Sequence, residues 1–423
     1  MNKQSTWTRC PECGRVLPAQ RIVRGMDVYL ASNCPSCGKR EELFFKNAAM
    51  LKRLEVLASK DKRCTDSFQC VLGRPCNKHL FKTANLMLNV TDRCDMSCPV
   101  CLASANEKLN VEPTTDQIFK ALPEPTGKDK PNLCIIGGEP TLRDDLPDIV
   151  RSIVKKGYIP RLNTNGRRLA RDAELVQRLM EAGLKWIILQ FDGVTDDVYL
   201  KLRGTALLEE KRRLTKTLLE AGFKVQYAVM VAKGVNDLQI SDILDEAERQ
   251  GVFWVSLYPA SAVNRNELNE ETHLYEVLEA LERTTGGRVR MEDLLLSMKL
   301  FGMIYKVTKK EMFRQKALTI PTVLFKGRKG LVPFTRIIGK GGWLQSVSLL
   351  KSLATHIFGL LDFETGTPPR GVLFLTIKKF QGASALDLVE ASDCQMSWIV
   401  PGGVVAFDMF NVCWRDRDAW KTV

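Results

Sequence analysis

Between residues 84 and about 260 the sequence alternates six short apolar runs with amphipathic stretches, a pattern that few architectures tolerate. The runs are Ala84–Val90, Leu133–Ile136, Ile159–Asn163, Trp186–Phe191, Lys224–Met230 and Phe253–Tyr258. Between them, segments such as Leu146–Lys156, Asp172–Ala182, Leu208–Ala221 and Leu238–Arg249 carry apolar residues at the three- and four-residue spacing of helices. Gly157, Gly183, Gly222 and Gly251 follow, where helices prefer to end. Six strands alternating with helices predict an α/β fold with a parallel sheet, open or curled into a partial barrel. Ligands of such folds gather at the C-terminal ends of the strands.

The polar and glycine-rich signatures of the sequence all fall at that end. The cysteine-rich run Cys94-Asp-Met-Ser-Cys98-Pro-Val-Cys101 follows the first strand, and Gly137-Gly138-Glu139-Pro140 follows the second. Asn163-Thr164-Asn165-Gly166 ends the third, Gln190-Phe191-Asp192-Gly193 ends the fourth, and Lys233-Gly234-Val235-Asn236 follows the fifth. Five signatures on one rim mark a single functional site.

The chain has 13 cysteines, and they are grouped. Met1–Arg9 is polar, and no stretch offers the about 20 consecutive apolar residues of a membrane span, so the chain reads as cytoplasmic. In a reducing compartment a cysteine-rich chain binds metal rather than forming disulfides. Cys10-Pro-Glu-Cys13-Gly and Cys34-Pro-Ser-Cys37-Gly make two knuckles with 20 residues between them, the arrangement of a tetrahedral four-cysteine site. Zinc and a single iron both suit four such sulfurs. A second group, Cys64, Cys70 and Cys76 with His79, matches no common zinc spacing, and Cys394 and Cys413 stand far off near the C-terminus. Cys134, inside an apolar run, reads as a buried filler. The triplet Cys94, Cys98 and Cys101 has three closely spaced thiolates, which hold three irons of a cubane cluster and leave the fourth iron open to a small molecule.

Apolar residues make up 45% of the 423 and charged residues 26%, which excludes a disordered or collagen-like chain. The net charge of +13 suits nucleic acid, an anionic membrane surface or an acidic partner. The basic clusters, at Lys52-Arg53, Lys60–Arg63, Lys211–Arg213, Lys309-Lys310 and Lys326–Lys329, are short and lack interleaved aromatics. Nucleic acid is therefore not the first choice, and solvated helix faces account for them. Ala317–Phe325, Leu331–Ile338 and Leu344–Leu361 mix basic and apolar residues. The last reads either as an amphipathic helix on a membrane surface or as a core helix against the barrel.

With these residues in hand, Cys94, Cys98, Cys101 and Gly137–Pro140 resemble the radical S-adenosylmethionine (radical SAM) superfamily. The resemblance implies a partial (β/α)6 barrel with a 4Fe–4S cluster whose open iron chelates SAM. It implies that Glu139, with the backbone of Gly137 and Gly138, receives the SAM ammonium, and that Asn163, Asn165, Gln190 and Asp192 line the adenosyl and substrate side. It also implies reductive cleavage of SAM to a 5′-deoxyadenosyl radical that removes hydrogen from substrate.

A narrower likeness covers nearly the whole chain. The knuckles, the three-cysteine loop, Leu202-Arg203-Gly204 and Cys394 look like the archaeal tetraether lipid synthase group and its class D methyltransferase relatives. That likeness implies a rubredoxin-like or zinc-ribbon module (1–48), an auxiliary-cluster loop (49–83), the barrel (84–264) and a C-terminal α+β substrate and auxiliary-cluster region (265–423). Cys64, Cys70, Cys76 and Cys394 become ligands of an auxiliary 4Fe–4S cluster, with Cys413 nearby. The family has a cysteine where this chain has Asp408, and the six cysteines left after the knuckles and triplet complete one such cluster but not two. Hydrogen abstraction from an unactivated carbon of a lipid or other apolar substrate is the expected reaction. Methylation or alkylation of a pterin or other small molecule is the alternative, and a non-catalytic iron–sulfur or zinc-ribbon binder is a third. Reduced ferredoxin or flavodoxin is the expected electron donor, with peripheral contact to anionic lipid as a further expectation.

Overall fold

The computed structural model describes residues 4–59, 85–107, 112–125, 130–261, 265–268, 270–308, 314–328, 330–338, 371–392, 396–400 and 403–409. Cys64, Cys70, Cys76, His79, Cys394, Cys413 and the apolar stretch 344–361 lie outside the described residues.

The first module is a four-stranded antiparallel sheet of β1 (Gln4–Arg9), β2 (Val16–Arg24), β3 (Asp27–Cys34) and β4 (Gly38–Phe45), paired in chain order. Cys10 and Cys13 lie in the turn after β1, and Cys34 and Cys37 flank the turn after β3. Alternation along β2 buries Leu17, Ala19 and Arg21 and exposes Pro18 and Gln20, as a half-buried strand requires.

All six expected barrel strands form. They are β5 (Asn85–Asn89), β7 (Asn132–Ile136), β8 (Ile159–Thr164), β9 (Trp186–Gln190), β10 (Lys224–Val231) and β11 (Trp254–Pro259), parallel and in that order. β6 (Val100–Cys101) is a two-residue strand inside the cysteine run, paired antiparallel with β12 (Arg265–Asn266). Helices cover the outer face. The helix Ala173–Glu181 starts where the Asp172 carboxylate accepts the Leu175 amide at 2.8 Å, and it buries Leu175, Val176 and Leu179. The helix Ile240–Gln250 ends at Gly251, whose φ of 88° a residue with a Cβ adopts only at a cost. Ile187 and Leu189 of β9 are fully buried. Each such side chain contributes roughly 1.5–3 kcal/mol by leaving water.

The helix Asp196–Arg203, recognised in the sequence only as the fragment Leu202-Arg203-Gly204, intervenes between β9 and the helix Leu208–Glu220. It ends at Gly204 and delivers Arg203 to the rim.

The C-terminal region extends the barrel sheet itself. β15 (Val372–Lys378) pairs parallel with β11 on one edge, and β16 (Met396–Val400) pairs parallel with β5 on the other. Two further parallel strands thus flank the six expected. β13 (Thr319–Gly327) and β14 (Gly330–Pro333) add antiparallel outside β15, and β17 (Gly403–Ala406) adds outside β16, giving eleven strands. The cause is apolar: Leu373, Leu375 and Ile377 enter the main core, while Trp398 and Val400 pack with Met87 and Cys134. Among the described residues no helix is long and apolar enough to cross a membrane.

Candidate active site

Alternate residues of the barrel strands face inward and line a cavity of about 410 Å³. At its rim lie Cys94, Cys98 and Cys101, Gly137, Gly138 and Glu139, Asn163, Asn165 and Gln190. The structure therefore brings together all but one of the barrel residues expected at the site.

The cysteine loop is held by backbone. Gly138 N–H donates to the Thr91 carbonyl at 2.7 Å and Glu139 N–H to the Arg93 carbonyl at 2.8 Å. A Cβ on Gly137 would stand 2.3 Å from Thr91 O, and one on Gly138 would stand 2.2 Å from Arg93 O. The glycine pair lets the β7 turn lie directly on the loop that carries the triplet. Asn106, with φ of 68°, clasps the same loop: its Oδ1 accepts Cys94 N–H at 2.9 Å and its Nδ2 donates to Cys94 O at 2.9 Å. Arg265 Nε donates to Cys98 O at 2.8 Å.

Glu139 is 1% exposed, and four donors meet its carboxylate. Oε1 accepts from Thr141 N at 3.1 Å, Thr141 Oγ1 at 2.6 Å and Thr164 Oγ1 at 2.6 Å, while Oε2 accepts from Asn165 N at 2.7 Å. Burial pushes the carboxyl up, and these donors pull it back. The bonds fasten the β7 turn to the end of β8. Asn165 continues the chain of contacts, its Nδ2 donating to Asp95 Oδ1 at 2.7 Å within the cysteine loop.

Asp192 is the exception. β9 ends at Gln190, so the alternation that turns Ile188 and Gln190 inward stops before Asp192. Asp192 is fully buried behind the wall and accepts both prongs of Arg203, from Nε at 2.7 Å and from Nη2 at 2.9 Å. It also accepts from Met230 N at 3.0 Å and from Gln190 Nε2. Arg203 Nη1 donates to Val100 O at 3.0 Å, between Cys98 and Cys101. Burial works against the Arg203 charge, but Asp192 more than restores it and holds the guanidinium above its ordinary value. Burial pushes the Cys94 thiol up to about 12. Cys98 also rises by burial, but Arg203 pulls it back. Beneath the wall Lys211, 1% exposed, donates to Asn165 O and to Gln190 Oε1, the latter at 3.1 Å, and burial brings its ammonium down to about 8.

The second centre is in the N-terminal sheet. The sulfurs of Cys10, Cys13, Cys34 and Cys37 all lie within 4.8 Å of one another, with Cys13 and Cys34 3.5 Å apart. Metal–sulfur bonds of about 2.3 Å in a tetrahedron put sulfurs roughly 3.8 Å apart, so a single ion fits. Hydrogen bonding from the Cys13 amide leads in drawing the Cys10 thiol down to about 6.

Residues 88–247 match the model of the radical SAM superfamily. Those residues form a radical SAM domain, and the proteins of that superfamily are enzymes. Residues 3–46 match a second model, the HMPTM N-terminal zinc ribbon domain. The chain is similar to 7,8-dihydro-6-hydroxymethylpterin dimethyltransferase of Methanocaldococcus jannaschii, with 28% identity over 374 residues, 82% of this chain and 72% of that protein. It is also similar to Fe-coproporphyrin III synthase of Methanosarcina barkeri, 29% identical over 46% of this chain and 50% of that one. GTP 3′,8-cyclase of Nautilia profundicola is 29% identical over 40% of this chain and 53% of its own. The chain thus spans about half the length of the last two. A solved structure, SuiB of Streptococcus suis bound to S-adenosylmethionine, aligns with a TM-score of 0.43 at 19% identity, over 48% of this chain and 47% of that one.

The donor set of this radical SAM chain fits the 4Fe–4S cluster and SAM that its superfamily implies. Cys94, Cys98 and Cys101 are soft ligands on one loop facing the cavity, with Arg203 to offset their charge. Among the described residues, the ribbon sulfurs converge at single-ion spacing and those of the triplet do not. When bound, the cluster supplies the electron that cleaves the SAM sulfonium.

Several site residues were missed in the sequence. Arg161 and Gln226 line the cavity, sharing the inward parity of Asn163 and Met230, a signal masked in the sequence by the apolar residues of their runs. Cys134, read as a filler, is buried but faces the cavity. Asn106 and Arg265 carried no local signal.

Proposed function

We propose that this radical SAM enzyme reductively cleaves SAM at the Cys94/Cys98/Cys101 centre and that the 5′-deoxyadenosyl radical so formed takes a hydrogen atom inside the barrel, becoming 5′-deoxyadenosine, in the methylation or alkylation of a small polar molecule by a separate carbon donor. One observation carries the reading: the cavity that the triplet and the Gly137–Glu139 turn share continues into the barrel, where Arg161, Gln226, Ser256 and Tyr258 line it. A largely apolar wall with a few placed polar groups suits a small hydrogen-bonding molecule, whereas a lipid chain would leave those groups unpaired. The pterin named for the Methanocaldococcus relative supports the same class.

Within this proposal the ribbon holds zinc, Cys64, Cys70, Cys76 and Cys394 hold an auxiliary 4Fe–4S cluster, and an acidic reduced ferredoxin or flavodoxin delivers the electron to a chain of net charge +13.

The test is anaerobic reconstitution with iron and sulfide, followed by SAM and dithionite. Wild type is expected to yield methionine and 5′-deoxyadenosine, and the variant with Cys94, Cys98 and Cys101 replaced by Ala to yield neither. Equal yields from the two would sink the reading. Iron analysis of the same variant separates the clusters, since an auxiliary cluster leaves half the wild-type cubane iron in place.

A further inference from the structure

Within a largely apolar wall, the interior of the barrel carries polar side chains away from the cysteine triplet. Gln226 of β10 is 5% exposed and lines the cavity. Its Nε2 donates to Ser256 Oγ at 2.9 Å, which fixes the amide, while its Oε1 has no hydrogen-bond partner among the described residues. A buried carbonyl oxygen left so bears its full desolvation penalty, which a ligand's N–H removes. Ser256 also bonds the Tyr258 hydroxyl, and Tyr258 lies within electrostatic reach of Cys134 and Arg161. Arg161, also 5% exposed, stacks its guanidinium 3.7 Å over the Trp186 ring and reaches Asn85 Oδ1 at 3.4 Å. Its side chain is on the cavity wall, two strands from Gln226.

We propose that Gln226 and Arg161 read the polar edge of the substrate: a ring N–H or amino group donates to Gln226 Oε1, and a carbonyl or anionic oxygen accepts from Arg161. The ligand class is a small planar heterocycle with donor and acceptor on its rim. Alkyl chains offer neither group and leave Gln226 unsatisfied. The assignment rests on the reading of the barrel as the substrate chamber, and its test is independent of radical chemistry.

The holoenzyme is titrated with 7,8-dihydro-6-hydroxymethylpterin, and in parallel with hexadecanol, with tryptophan fluorescence as readout. Wild type is expected to bind the pterin and not the alcohol. Gln226→Leu, which removes the acceptor, is expected to weaken pterin binding by about tenfold or more, and Gln226→Glu, which keeps one, to stay within about threefold of wild type. Equal affinity of the Leu variant and wild type overturns the proposal, as does hexadecanol binding in preference to the pterin or no pterin binding by wild type. If the Leu variant does not fold, the Glu variant decides: affinity reduced tenfold in a folded protein with an acceptor still in place counts against the assignment. Wild-type SAM cleavage measured without the pterin reports on the radical reading alone, so the two fail separately.

Discussion

Arg203 reaches three places at once: its fork closes on Asp192, its third nitrogen holds the Val100 carbonyl, and its charge faces Cys98 and Cys101. A lysine keeps the charge but not the planar fork. Arg203→Lys is therefore expected to lower 5′-deoxyadenosine formation about 10–100-fold, the usual effect of disturbing groups that orient metal ligands, with iron content unchanged. Rate and iron assays on one preparation check this, and an unaltered rate refutes it. At this scale the sequence disclosed the ligands but not their supports. The triplet and Gly137–Glu139 were legible because each motif is contiguous, whereas the partner of Arg203 lies eleven positions upstream, beyond the end of a strand. Nor does a glycine pair in a sequence say which backbone it faces. The close approach turned out to be to Thr91 and Arg93 of the cysteine loop.

Elements were more readable than residues. The six barrel strands and the helices behind them followed from spacing alone, because a buried parallel strand and a one-sided helix each impose a period on the chain. Short, strongly polar helices such as Asp196–Arg203 carry a weak period, and the C-terminal strands β13 to β17 are separated by segments with no regular spacing, so that region is legible in the sequence as α+β but not strand by strand. The helix Leu274–Thr284 illustrates a titration built into an element. His273, which precedes it, is 6% exposed, with Nδ1 unpartnered among the described residues, and burial leads in holding its pKa down to about 4, with Lys379 and Lys46 opposing its charge and Glu271 and Glu276 favouring it. A base whose folded pKa lies below its unfolded value of about 6.5 leaves the unfolded state holding more protons between the two. Stability is therefore lost as pH falls from about 6.5 towards 4. The melting temperature of wild type is expected to drop more steeply over that interval than that of His273→Gln. Parallel curves for the two would rule out this histidine as the cause.

For the molecule as a whole, the N-terminal ribbon is joined to the far end of the described chain. Arg21 of β2, 7% exposed, bonds Asp387 at 2.6 Å and Glu55 at 2.5 Å, and Thr6 Oγ1 donates to Asp387 at 2.7 Å. Asp387 in turn accepts the amides of Val389 and Glu390 at the start of the helix Leu388–Ser392. Arg21→Leu leaves that buried carboxylate short of its cation and is expected to cost about 3 kcal/mol, shifting the denaturation of ribbon and barrel together. A ribbon that melts alone, with the barrel midpoint unmoved, would show that the two are not coupled. The pairing of β5 with β16 has a consequence during synthesis. Met396 lies beside Asn85, 311 positions earlier, and at about 5–20 residues per second the ribosome takes roughly 15–60 s to make the intervening chain. For that interval the first barrel strand has an open edge, the kind that pairs with other nascent chains. Translation speed beyond β11 thus bears on how much of the protein reaches its native state.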